Sequence, residues 1–130
     1  MTAVDTNVLV RLLTDDDPSQ AERAARLFQD GSVFIAKTVL LETEWVLRHA
    51  YGLSRDVCNA AFVKLLGLPG VSVEDMPAAG KAMAWYAAGL DFADALHLAA
   101  AGGAERFVTF DRDFVKRAAK VSADVEVRLV

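Results

Sequence analysis

Four carboxylates stand where an acidic side chain can do chemistry. Asp5 closes the first apolar run of "MTAVDTNVLV", Glu42 lies inside "LLETEWVLR", Asp94 inside "DFADALHLA", and Asp111 ends the run in "VTFDRDF". Each also has an ordinary structural reading. Asp5 and Asp111 follow strand-like runs and are good helix N-caps. Asp94 falls in the first turn of a helix that Asp91 can cap, where the macrodipole favours an acid by about 0.3–1 kcal/mol. Yet Phe92, Ala93, Ala95, Leu96 and Leu98 surround it, so its carboxylate is poorly placed for solvation. Glu42 borders an apolar face running through Val39, Val46, Leu47 and Ala50, where a partly buried carboxylate needs a partner or a cation. Glu44, four residues before Arg48, reads as half of a helical ion pair. Carboxylates gathered in one crevice repel one another and either take up protons or hold a cation. Oxygen ligands with no Cys/His cluster favour Mg²⁺ or Mn²⁺ over zinc, and such an ion keeps waters and binds substrate phosphates.

The elements that must position these acids are strands alternating with helices. Strand-like runs cover Thr2–Val4, Ser32–Ile35, Val71–Val73, Arg106–Phe110 and Val125–Leu129. Asp17 as cap, Pro18 at the first position and Gln20 three residues after the cap predict a helix start. Further helices are expected from Thr38 to the Gly52 stop, from Ser54 to near Gly67, and from Pro77 to Gly89. Another runs after Asp91 to Gly102, and a last one begins near Asp111, with Phe110 and Val115 in hydrophobic-staple positions. The run "DDD" at Asp15–Asp17 reads as a solvated turn. This alternation predicts an α/β layered fold with parallel strands and crossover helices. In such folds ligands bind beyond the carboxyl ends of the strands, at the switch point of strand order. Asp5 and Asp111 belong at that edge if their strands are neighbours.

Composition sets the outer bounds. The 130 residues suit one domain, with 54% hydrophobic and 25% charged residues in a globular balance. The single cysteine, Cys58, can form no internal disulfide. No apolar run reaches the roughly 18 residues of a membrane span, and no signal peptide is visible, so a cytoplasmic protein without membrane association is expected. The net charge of −4 argues against nucleic-acid binding by bulk positive charge. It leaves open a cation-loaded acidic pocket that takes phosphate.

Taken together, "VDTNVLVR", "LLETEWVL", "DFADALHLA" and "VTFDRDF" resemble the PIN-domain family, and more narrowly the VapC toxins of bacterial and archaeal toxin–antitoxin pairs. The resemblance runs from Ala3 to about Phe114, with no departure at an acidic position. It implies a three-layer α/β/α domain over residues 1–130. Its central parallel sheet would have four to five strands in the order 3-2-1-4-5, flanked by six to seven helices. It implies that Asp5, Glu42, Asp94 and Asp111 form an acidic Mg²⁺ or Mn²⁺ pocket that cleaves RNA with a metal-activated water. Thr6, Asn7, Thr109, Asp91 and Asp113 would support those carboxylates from behind. A homodimer and a cognate antitoxin are the implied partners, in a heterotetramer or larger complex. Arg11, Lys37, Arg48, Arg112 and Lys116 are the candidate RNA contacts.

Two other classes compete. One is a non-catalytic PIN-like module that dimerises in a repressor complex through apolar helices such as "VLVRLL" and "AFVKLLGL". The other is an aspartyl-phosphate domain with Asp5 as nucleophile. Haloacid-dehalogenase-like phosphatases carry a second Asp two residues later, where this chain has Asn7. A phosphorylated receiver would need an Asp after a middle strand, and here Glu74 and Asp75 follow Val73.

Overall fold

The structure is a computed structural model that describes residues 1–121 and 123–130. Among these residues the chain forms five strands and seven helices in an α/β order. It divides into two compact units, Met1–Met76 and Pro77–Val130.

The first unit is built on a parallel sheet. Strands β1 (Thr2–Ala3), β2 (Val33–Ile35) and β3 (Val71–Val73) lie in the order β1-β2-β3. The register pairs Thr2 with Val33 and Val33 with Val71. Helices α1 (Thr6–Leu13) and α2 (Pro18–Asp30) connect β1 to β2, and α3 (Lys37–His49) and α4 (Arg55–Leu66) connect β2 to β3. Parallel neighbours need such crossovers because a tight turn cannot return the chain in the same direction. Leu9, Val33, Ile35, Leu40, Leu47, Phe62 and Leu65 are buried and make its core. Gly70 turns the chain into β3 with φ +79, and a Cβ there would lie 2.9 Å from the Gly31 carbonyl oxygen. Both the left-handed backbone and the close approach require glycine.

The second unit carries α5 (Met76–Ala87), which begins at the boundary, then α6 (Phe92–Ala100), β4 (Arg106–Thr109), α7 (Arg112–Ala118) and β5 (Glu126–Leu129). Strands β4 and β5 pair in parallel from Arg106–Glu126 to Thr109–Leu129. Tyr86 meets Phe92 edge-on at 4.9 Å, and Phe107 lies 5.3 Å from Phe114. The expected order 3-2-1-4-5 is therefore present as two runs, 3-2-1 and 4-5.

Local expectations fare unevenly. Asp17, Ser54, Asp91 and Asp111 cap α2, α4, α6 and α7 through their side chains as their types predict. The staple expected across Asp111 does not form, since Phe110 is 83% exposed. The buried face of α3 is rotated from the one read off the sequence. It runs through Leu40, Thr43, Glu44 and Leu47 rather than Val39, Val46 and Ala50. The polar members Thr43 and Glu44 disguised it. Thr43 satisfies its hydroxyl by donating to the Val39 carbonyl at 2.7 Å, which lets a polar residue enter the core. Among the described residues no helix is long and apolar enough to cross a membrane.

Candidate active site

In the first unit the site residues gather where β1 hands over to α1. Asp5 is the N-cap of α1. Its Oδ1 accepts from the Val8 N–H at 3.2 Å, satisfying one of the orphan donors of the first turn. No hydrogen bond to its Oδ2 is present among the described residues, so one oxygen stays available to a ligand. Thr6, next in sequence, is buried and donates its hydroxyl to Oε1 of Glu42 on α3. Glu42 is itself exposed. The α1 and α3 helices thus join at the carboxyl end of the sheet, through a hydroxyl that orients the carboxylate. Glu74, just past β3, accepts from the Lys37 backbone N–H at 3.0 Å and closes the start of α3, which has no side-chain cap of its own.

The second unit holds the other acids. Asp111 accepts through Oδ1 from the N–H groups of Asp113 (2.9 Å) and Phe114 (3.1 Å), again leaving Oδ2 uncommitted among the described residues. Thr109 Oγ1 accepts from the Asp111 N–H at 3.0 Å and steadies the strand-to-helix turn. Asp91 Oδ2 accepts from the Asp94 N–H at 3.3 Å. Asp94, half-buried, has its carboxyl pushed above the ordinary range. Loss of solvation is the main cause, followed by the negative charges of Asp91 and Asp111. His97 and Arg117 partly offset this. The two readings offered for Asp5 and Asp111 are therefore compatible, because the cap uses one carboxylate oxygen and leaves the other without a hydrogen bond among the described residues.

Asp5, Thr6 and Glu42 are brought together in one unit, and Asp91, Asp94 and Asp111 in the other. Among the described residues no three Asp, Glu, His or Cys side chains gather closely enough to enclose a metal ion. The donors nevertheless suit a hard divalent cation. Within each unit they are all oxygens, with one unbonded on Asp5 in the first and one on Asp111 in the second, and the loss of solvation and neighbouring negative charge at Asp94 is a penalty that a cation relieves.

The basic candidates divide. Arg11 is engaged within its own unit. Its Nε donates to Gln20 (2.7 Å), and its Nη1 donates to Asp16 (2.9 Å) and the Tyr51 hydroxyl (3.2 Å). Tyr51 also donates to Asp16 at 2.6 Å, which with Thr14 and Arg11 holds the Asp16 carboxyl below the usual range against the effect of burial. The "DDD" run is thus a structural hub and not merely a solvated turn. Lys37 lies 3.7 Å from Asp75, and Arg48 lies 3.8 Å from buried Glu44. Arg112 and Lys116 are exposed on α7 and enter no ion pair among the described residues. Asn7 opens onto a cavity of about 400 Å³ between α1 and α2, lined also by Val8, Arg11, Gln20, Arg23, Ala24 and Leu27. Two basic residues escaped the sequence reading, Arg23 at the α1–α2 cavity and Arg117 beside Asp94, because only tertiary packing sets their neighbours.

Comparison with known proteins decides the family. The PIN-domain family model matches residues 2–120, spanning both units. The chain belongs to the PIN-domain family. No curated protein is significantly similar in sequence to this PIN domain. Among solved structures it is similar to the crystal structure of Mycobacterium tuberculosis VapC20, a sarcin–ricin loop cleaving toxin. That match has 24% identity and a TM-score of 0.45, covering 97% of this chain and 99% of that one.

Proposed function

We propose that this PIN domain is a divalent-metal-dependent endoribonuclease, the VapC-type toxin of a toxin–antitoxin pair, acting as one domain over residues 1–130. The observation that carries the proposal is the family match over residues 2–120, joined to an acid at each motif position with one carboxylate oxygen unbonded at Asp5 and at Asp111 among the described residues. The reading requires that Asp5 and Glu42 act together with Asp94 and Asp111.

In that site Asp5, Asp94 and Asp111 would hold Mg²⁺ or Mn²⁺, with Glu42 completing the set. When bound, the ion lowers the pKa of a coordinated water and neutralises charge on the scissile phosphate. Glu42, oriented by Thr6, positions the attacking water and accepts its proton. Thr109 and Asp91 keep the turn at Asp111 and the first turn of α6 in place, and Asn7 and Asp113 flank the carboxylates that they adjoin in sequence. Arg112, Lys116 and Arg117 on α7, with Arg23 at the α1–α2 cavity, supply local positive charge for the RNA backbone. Such charge can outweigh the acidic total within a Debye length of about 8 Å. A cognate antitoxin, homodimerisation and a cytoplasmic location accompany the same reading.

The test is cleavage of cellular RNA in Mg²⁺ or Mn²⁺ by the wild type and by Asp5→Asn. The variant should lose most of its cleavage rate, because Asp5 is one of the residues that would hold the ion. Equal rates would reject the assignment and favour a non-catalytic binding module.

A further inference from the structure

Most large apolar side chains in the first unit are buried or half-buried, but Trp45 is 60% exposed. It is not loose. Its ring centroid lies 4.9 Å from that of His49, one turn further along α3, at an interplanar angle of 37°. Glu42, Trp45 and His49 are spaced by three and four residues, so they line one stripe of the helix. All three are exposed, while the opposite stripe of Leu40, Thr43, Glu44 and Leu47 is buried. A helical rise of 1.5 Å per residue puts Trp45 about 4.5 Å and His49 about 10 Å from Glu42 along the axis. Bases stacked along one strand are about 3.4 Å apart. The stripe thus leads from the carboxylate held by Thr6 onto an aromatic surface one to three bases long.

We propose that Trp45, backed by His49, is a stacking platform for unpaired RNA bases flanking the scissile phosphate. The inference rests on the nuclease reading for the role of Glu42. An exposed aromatic face, held against a second ring and in line with a candidate site carboxylate, is a surface on which a base can stack. Stacking suits this chain in particular. Its net charge is −4, and stacking on a π-face adds affinity that does not depend on net charge or on base identity. Three potential phosphate contacts, Arg11, Lys37 and Arg48, already lie beside acids of their own unit, which leaves more of the work to stacking. A flat aromatic surface also selects single-stranded or looped RNA, because paired bases hide their faces.

The chain carries its own probe. Its second tryptophan, Trp85, is buried at 7% exposure, so the emission of solvent-facing tryptophan reports Trp45. A single-stranded RNA oligonucleotide, added with EDTA to prevent cleavage, should quench that emission. Trp45→Phe should show no comparable quenching. Trp45→Ala should weaken binding about tenfold by the anisotropy of a labelled oligonucleotide, with Trp45→Phe recovering part of the loss. In cleavage assays the Trp45→Ala defect should fall mainly on KM. Oligonucleotide binding without quenching, or quenching that persists in Trp45→Phe, would overturn the proposal. So would a change of oligomeric state in Trp45→Ala by sedimentation, which would assign the surface to a second copy of the chain. Quenching together with equal cleavage by wild type and Asp5→Asn would sink the nuclease reading and leave the platform standing. Cleavage that needs Asp5 but ignores Trp45 would do the reverse.

Discussion

The acids of the first unit and those of the second meet the same electrostatic problem in different ways. Glu42 has a neutral partner inside the protein, the Thr6 hydroxyl, which donates to its Oε1. Asp94 has the opposite surroundings. It is half-buried, and Asp91 and Asp111 press negative charge on it, so that its carboxyl is pushed above the ordinary range. In the first unit a hydroxyl orients the carboxylate, while in the second loss of solvation and neighbouring negative charge act on Asp94. On the proposed nuclease reading that difference suits the two regions to separate tasks. A hydrogen-bonded carboxylate in water is suited to orienting a reacting molecule. A crowded set of carboxylates is suited to taking up a cation, because binding removes a penalty already present in the free protein.

The sharpest way to break this contrast is to remove the hydroxyl. Thr6→Val keeps the volume and leaves Glu42 without its donor. Cleavage should fall about 10–100-fold, the cost of losing a group that orients a site carboxylate. Steady-state rates against Mg²⁺ concentration would show the loss persisting at saturating metal. A loss fully restored by more metal would move Glu42 from orienting water to holding the ion.

Glu44 sharpens the contrast on the same helix. It lies two residues beyond Glu42, is buried, and has Arg48 at 3.8 Å. Glu44→Ala should destabilise the fold by about 1–3 kcal/mol, since Arg48 loses its partner and a cavity opens. Glu42→Ala should cost less than half of that. Urea denaturation of both variants measures the difference, and equal losses would erase the distinction between a structural and a site glutamate.

The smallest effect is a dependence on pH. The folded chain holds the Asp94 proton more tightly than the unfolded chain does. Asp94 therefore favours the fold below its ordinary pKa, and that contribution is lost as pH rises through the raised value. At neutral pH the ionised group should be a burden. Asp94→Asn should flatten the decline in stability through this window while removing cleavage, and thermal melts across the carboxylate range would show it. Parallel curves for wild type and variant would mean that Asp94 is not crowded.

Much of this was legible from local chemistry. Side-chain caps at Asp5, Asp17, Ser54, Asp91 and Asp111 depend on a short polar residue and the N–H groups two or three positions later, so they are written in consecutive residues. The strand-and-helix alternation was legible for the same reason, and ends differed by a residue or two where strands fray. Residue order also put each of the four acids at an element end or on a helix border, and only the family resemblance joined them into one expected site.

Other features only the fold could decide. Which stripe of α3 faces inward depends on what packs against it, and Thr43 and Glu44 are polar members of that stripe. Arg11 looked free for RNA, yet Asp16, Gln20 and Tyr51 meet it from elements up to 40 residues away. Thr6 reaches Glu42 across 36 residues of sequence. Caps and periodicities are short-range and follow from neighbours in the chain. Carboxylate crowding, hydroxyl support and the exposure of Trp45 are long-range, and they exist only once strands and crossover helices have brought distant residues side by side.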